Sequence, residues 1–334
     1  MRFNRWFAPI SCVVSFLLLA TGALACKSND GPTAVPTVNM VMATPFNTWL
    51  CTYGIREGLV KSDKVNVNIT LAADYDTQMM AGNYPMGGLS TATFAVATQN
   101  NHVALEALST FIVQAGSQSA LGVNYIMTLA GAKISTPKDL VGKKVGVPDL
   151  TGSGTSAFLA LLKKDYGIDE SQLTLVDKSN TLLLQLLKSG GIDAALLGQN
   201  TGVQAYLDTA TYRSIWNIDE TFIHDYGTPF VASLLVVDSA YHKANASAVK
   251  AAYDLLKQSN TYGEQHIAEL APLYAAQFGQ TADFYQTVFN EHSKSTLNLI
   301  DSKTQASLTA IFQFVMDRGV ITSLPDPKVV FKNP

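Results

Sequence analysis

The residues best suited to chemistry lie in loops that follow short apolar runs. Thr151-Gly152-Ser153-Gly154-Thr155 joins the apolar run at residues 143–148 to a helical pattern, so Ser153, Gly154 and Thr155 sit where a helix must begin. A helix start leaves backbone N–H groups unpaired and carries partial positive charge, so these residues offer several N–H donors and two hydroxyls to a small anion. Capping of the helix by Ser153 or Thr155 is the plainer use of the same hydroxyls, and both uses can hold at once. Other loops have a similar character: Thr44, Phe46, Asn47 and Trp49 open one helix, Gly88, Ser90 and Thr91 close a later strand, and Gln199 and Asn200 follow another. Tyr125 offers a wall between them. Phe46 and Trp49, as aromatic residues near a helix start, suit a core at least as well as a pocket. No Lys or Arg falls in these loops, while Asp74 and Asp76 stand near strand ends and can attract an amine. The set points to a small organic ligand, more readily a carboxylate or sulfonate than bare nitrate, with aromatic residues for a ring or alkyl body.

Catalytic patterns are sparse. His102, His224, His242, His266 and His292 are scattered and form no H-x-x-x-H pair, so no metal is expected. A G-x-S-x-G elbow and a Walker-type loop are both missing from the sequence. Residues 152–157 match G-x-G-x-x-A after a strand, with Asp177 further on, but Pro148-Asp149-Leu150-Thr151 separates the strand from the first glycine, whereas a dinucleotide turn is tight. No cofactor is expected. The chain is 47% hydrophobic and 15% charged with net charge −3, which argues for a well-packed body and against nucleic-acid or polybasic membrane binding.

The elements that must position these loops can be read in order. From Thr155, Phe158, Leu161, Leu162 and Tyr166 keep a helical rhythm, Lys163 and Lys164 fall in its last turn, and Gly167 lies just past its end. A strand at residues 172–176, a helical face of Leu182, Leu183, Leu186 and Leu187 closed by Gly190, and a strand at 192–197 complete a βαβαβ unit with parallel pairing. A second such unit precedes it: strands at 35–43, 65–72, 86–91 and 103–108, a helix from the Thr44 turn to about Val60, a short helix capped by Asp76, and a helix at 92–101. Two α/β units with polar loops after their strands form a two-domain α/β protein with its ligand at the strands' carboxyl ends.

The amino terminus reads as a leader. Arg2 and Arg5 precede an apolar run at residues 10–20, and Ala23-Leu24-Ala25 is a small-x-small cleavage signal before Cys26. Residues 22–26 also fit a lipoprotein signal loosely, with Ala23 where Leu is usual, so lipid attachment at Cys26 and ordinary cleavage both stay open. If Cys26 is acylated, Cys51 has no partner; if it is not, a Cys26–Cys51 disulfide is open to an exported protein, although Cys51 in its helical apolar pattern suits a buried inert thiol. Roughly 300 residues remain, enough for two ordinary domains.

The order DLVGKKVGV, a TGSGTS turn, a helix, then GID before an apolar strand resembles the substrate-binding proteins of ABC importers, in the nitrate, sulfonate, taurine and pyrimidine-precursor branch. The resemblance implies a two-lobed periplasmic-binding-protein fold of type 2, with segments 120–128 and 230–237 as hinge strands and C-terminal helices packed on the first lobe. It implies a leader at 1–25, a tether at 26–37, a first lobe at 38–119, a second lobe at 120–237 and a C-terminal helical part at 238–334. The implied function is non-enzymatic: an exported monomer, periplasmic or lipid-anchored, that captures a small-molecule solute and delivers it to a permease. Gln199-Asn200-Thr201 stands where such proteins commonly carry an acidic residue and proline. An exported sensor is an alternative. So is an enzyme, because menaquinone- and thiamin-pathway synthases share the architecture, although the cysteine-rich motif of the yeast pyrimidine synthase is missing here.

Overall fold

Alternating strand and helix build two sheets, described for residues 34–114 and 122–334 in a computed structural model. In the first sheet β1 (Thr37–Met42), β2 (Asn66–Leu71) and β3 (Met86–Ser90) run parallel in the order β2-β1-β3, joined through α1 (Phe46–Arg56) and α2 (Tyr75–Met80). The chain continues through α3 (Thr91–Gln99) into β4 (Leu105–Gln114). The strand alternation of β1 explains its place: Val38, Met40 and Met42 enter one core while Val41 enters another, so the sheet is covered on both faces.

The second sheet holds β5 (Tyr125–Leu129), β6 (Lys144–Val147), β7 (Thr174–Asp177), β8 (Ala194–Leu197) and β9 (Tyr212–Asn217) in the order β7-β6-β8-β5-β9. Its β6, β7 and β8 are parallel, as the βαβαβ pattern predicts, with α4 (Ser153–Tyr166) and α5 (Asn180–Ser189) as crossovers. Gly167 and Gly190 end those helices in the left-handed conformation that glycine adopts without steric cost. After α6 (Gln199–Leu207), β9 and α7 (Ile218–Tyr226), the chain returns through Gly227-Thr228-Pro229 to the first sheet. There β10 (Phe230–Asp238) inserts antiparallel between β3 and β4, Leu234 and Val236 facing one core and Leu235 and Val237 the other.

The C-terminal part adds α8 (Ser239–Gln265), α9 (Ile267–Phe278), α10 (Ala282–Thr287), the short edge strand β11 (Ser293–Ser295), α11 (Ser302–Asp317) and α12 (Pro327–Val330). Val249, Ala252, Tyr253 and Leu256 of α8 pack on the first sheet. Leu308, Ile311, Phe312 and Val315 of α11 join Phe94 of α3 and Phe158 of α4 in one core, so this helix reaches elements of both sheets. Residues 35–334 form one compact unit.

The crossing strand expected at 120–128 forms over Tyr125–Leu129, and its first two positions lie outside the described residues. Asp76 does not cap α2; it sits in that helix's first turn and its carboxylate accepts the Ser90 N–H at 2.9 Å. The leader, the Cys26 lipidation site and most of the tether lie outside the described residues. Cys51 is a buried free thiol whose pKa burial pushes up, as its apolar helical setting predicts. Among the described residues no helix is long and apolar enough to cross a membrane.

Candidate functional site

All six turns that follow a parallel strand open onto one cavity of about 200 Å³. From the first sheet come Pro45 and Asn47 after β1, Tyr75 and Asp76 after β2, and Ser90 after β3. From the second come Pro148, Asp149, Gly152, Ser153 and Gly154 after β6, Asn180 after β7, and Gly198, Gln199 and Asn200 after β8. Parallel strands with helical crossovers place these turns at one edge of each sheet, and the two edges face each other. The remaining walls are Ile112 of β4, Val123 and Asn124 before β5, Phe230, Ala232 and Ser233 of β10, and Val288 and Ser293 from the C-terminal part.

Of the candidates read from sequence, Asn47, Ser90, Ser153, Gly154, Gln199 and Asn200 line this cavity. Seven do not. Phe46 and Trp49 turn into an aromatic core, the Phe46 ring 5.0 Å from both Tyr274 and Tyr285, because the first turn of α1 packs on α9 and α10. The Thr44 carbonyl accepts the Tyr274 hydroxyl at 3.0 Å. Gly88 lies within β3 beside Met42 and Phe111. The Thr91 hydroxyl donates to the Val231 carbonyl at 2.6 Å, tying α3 to β10. Tyr125 is buried, stacked on Tyr206 at 4.6 Å, with its hydroxyl 3.1 Å from the Gly122 carbonyl. Thr155, one residue past Gly154 on α4, is buried away from the cavity, and its hydroxyl has no hydrogen-bond partner among the described residues.

Ser153 does more than begin α4. Its Oγ accepts the Ala92 N–H of α3 at 2.8 Å, so a helix start of one sheet's layer closes on a helix start of the other's. Gln199, at the start of α6, holds a left-handed φ of 54°, a conformation that costs a non-glycine residue about 1 kcal/mol. Asn124 is held from behind by Asp219, a fully buried carboxylate that accepts the Val123 N–H, the Asn124 N–H at 2.9 Å and the Asn124 side-chain amide at 2.8 Å. Burial raises the Asp219 pKa, and those three donors oppose the rise.

Two acidic residues line the cavity, Asp76 half-buried and Asp149 exposed. Burial pushes Asp76 up to about 6, against the stabilising bonds from Ser90 and Thr93, and the Asp149 charge adds to the rise. Asp149 accepts the Thr151 N–H at 2.8 Å and the Thr151 hydroxyl at 2.9 Å through one oxygen. Among the described lining residues there is no Lys, Arg or His. Asn180 and Asp149 follow from the same turn rule that found Ser153, applied to every strand end. Ser233 carries no such signal, because it is one polar residue inside an apolar strand.

Two facing α/β sheets with one cleft at their strand ends define the architecture of periplasmic binding proteins. The chain belongs to the NMT1/THI5-like family, whose sequence profile matches residues 52–266. The periplasmic aliphatic sulphonate binding protein SsuA of Escherichia coli shares the fold with a TM-score of 0.68 at 13% identity, over 89% of this chain and 92% of that one. The alkanesulfonate-binding protein SsuA of Xanthomonas axonopodis pv. citri, bound to MOPS, matches with a TM-score of 0.69 at 12% identity, over 89% and 98%. The Candida albicans CA3427 gene product, described as having the generic periplasmic binding protein fold, matches with a TM-score of 0.66 at 13% identity, over 89% and 96%. No curated protein sequence matches this chain.

Proposed function

We infer that this protein captures a small organic solute between its two sheets on the outer side of a membrane and delivers it to the permease of an ATP-driven importer. The observation that carries the reading is the convergence of all six strand-end turns, three from each sheet, on one cavity. The family and the sulfonate-binding structural relatives support it. The cavity is smaller than the ~300–1,000 Å³ of drug-sized sites, which suits a metabolite. The Ser153–Ala92 bond is the kind of contact that a closed state makes and an open state gives up, so a ligand touching both sheets shifts the balance toward closure. The leader read at residues 1–25 supports a place outside the cytoplasm, with attachment to the membrane through Cys26 if that residue is acylated, and the reading takes the protein as a monomer.

The solute's charge is set by two opposed features. The starts of α4 and α6 favour an anionic group such as a sulfonate or carboxylate, whereas Asp76 and Asp149 oppose one. No bond is made or broken in this reading, and the serines of the lining have no His, Lys or Cys beside them in the described lining to act as base.

A thermal-shift screen of sulfonates, carboxylates, amines and pyrimidines tests the function. A solute at 100 times its Kd should stabilise the fold by about 2.7 kcal/mol and raise Tm by several degrees. It should be recovered unchanged by mass spectrometry; turnover of the solute would overthrow the binding role.

A further inference from the structure

We propose that the solute of this cleft carries a positively charged nitrogen group, an ammonium or a protonated nitrogen heterocycle, seated between Asp76 and Asp149. The proposal rests on the solute-binding reading above and narrows it.

The two carboxylates come from opposite sides, Asp76 from the turn after β2 and Asp149 from the turn after β6, and both line the same cavity. The described lining has no cationic side chain to answer them, and residues 115–121, AGSQSAL, contain no charged residue in sequence. Each helix start contributes about half a positive charge. The start of α3 is already engaged, its Ala92 N–H by Ser153 and its Ser90 N–H by Asp76. The starts of α1, α2, α4, α5 and α6 spread their partial charges round the rim, whereas Asp76 and Asp149 are the only charged side chains in the described lining. A cation would pair with these two carboxylates directly, which no side chain of the described lining does.

Ser233 is the second observation. It lines the cavity from β10 at 3% exposure, and its Oγ has no hydrogen-bond partner among the described residues. A buried hydroxyl without a partner is destabilising, and an N–H from the solute would pair it. Tyr75 and Phe230 are the aromatic residues of the described lining, and a cation is attracted to an aromatic ring. Two titratable groups border Asp76: Tyr75 on its own helix, whose pKa burial holds well above the ordinary tyrosine value, and Asp149 from the facing turn. Ser90 and Thr93 of α3 complete its surroundings as neutral donors.

The test is titration calorimetry of the purified protein at pH 7 with four probes: butylammonium, 4-aminopyridinium, butanesulfonate and butyrate. Binding by at least one of the two cationic probes, with a tenfold or greater loss of affinity in both Asp76→Asn and Asp149→Asn, is the expected result. Affinity for butylammonium, cationic across the range, should also fall as pH drops through about 6, where Asp76 takes up a proton. Circular dichroism confirms that the variants fold, and Asn at position 76 can still accept the Ser90 N–H. Binding of butanesulfonate or butyrate without either cationic probe overturns the proposal and leaves the solute-binding reading intact. Unchanged affinity in the two variants overturns it as well, and no binding by any probe counts against both.

Discussion

Asp76 shows what burying a carboxylate costs. Its pKa is raised from 3.8 to about 6, chiefly by burial, so between roughly pH 4 and 6 the folded protein holds a proton that the unfolded chain has released. Stability contributed by this group is therefore highest below about pH 4 and is lost as pH rises through 6. Replacing Asp76 with Asn removes the charge but keeps an acceptor for the Ser90 N–H. The variant should be more stable than the parent at pH 7, by up to about 3 kcal/mol, and equal to it near pH 3.5. Urea denaturation at several pH values reads this directly; a parallel pH dependence in the two proteins would show that Asp76 is not the group responsible.

At the level of elements, α6 is held to the second sheet so closely that its register depends on one glycine. A Cβ on Gly202 would run into the carbonyl oxygens of Val123 and Leu197, both backbone atoms that cannot step aside. Gly202→Ala should cost about 1–3 kcal/mol of stability through overpacking. It should also push Gln199 and Asn200 outward and weaken solute binding, because those two residues lie one turn earlier on the same helix. A denaturation midpoint equal to the parent's would mean that α6 has room the structure does not show.

Across the whole molecule, Arg318 ties the end of α11 to the second sheet's cleft turn. Its guanidinium meets both Glu170 oxygens at 3.2 and 3.3 Å, donates to the Leu150 carbonyl in the turn before α4, and reaches Ser156 at 3.4 Å. The Glu170 pair is partly exposed and contributes little by itself, whereas the Leu150 bond fixes the backbone between Asp149 and Ser153. Arg318→Ala should therefore lower stability by about 1–2 kcal/mol and weaken solute binding, though it lies outside the cavity; calorimetry showing unchanged affinity would refute this coupling.

How much of this was legible in advance follows local physics. Short apolar strand runs, helices closed by Gly167 and Gly190, and the polar turns after the strands are consequences of neighbouring residues, so both βαβαβ units and the places of Ser153, Gly154, Gln199 and Asn200 were readable from the chain. The direction a side chain faces once its helix docks is a different matter. Phe46 and Trp49 belong to the core because α9 and α10, over 200 residues later, pack on α1. Asn124 is oriented by Asp219 from 95 positions away, and Ser233 meets the cavity only because β10 returns to the first sheet. The sequence by itself determined the elements and the edge of each sheet where a ligand would bind. Only the tertiary structure decided which side chains meet there and that the charged ones among the described lining are both carboxylates, since facing and burial arise from contacts between segments far apart in the chain.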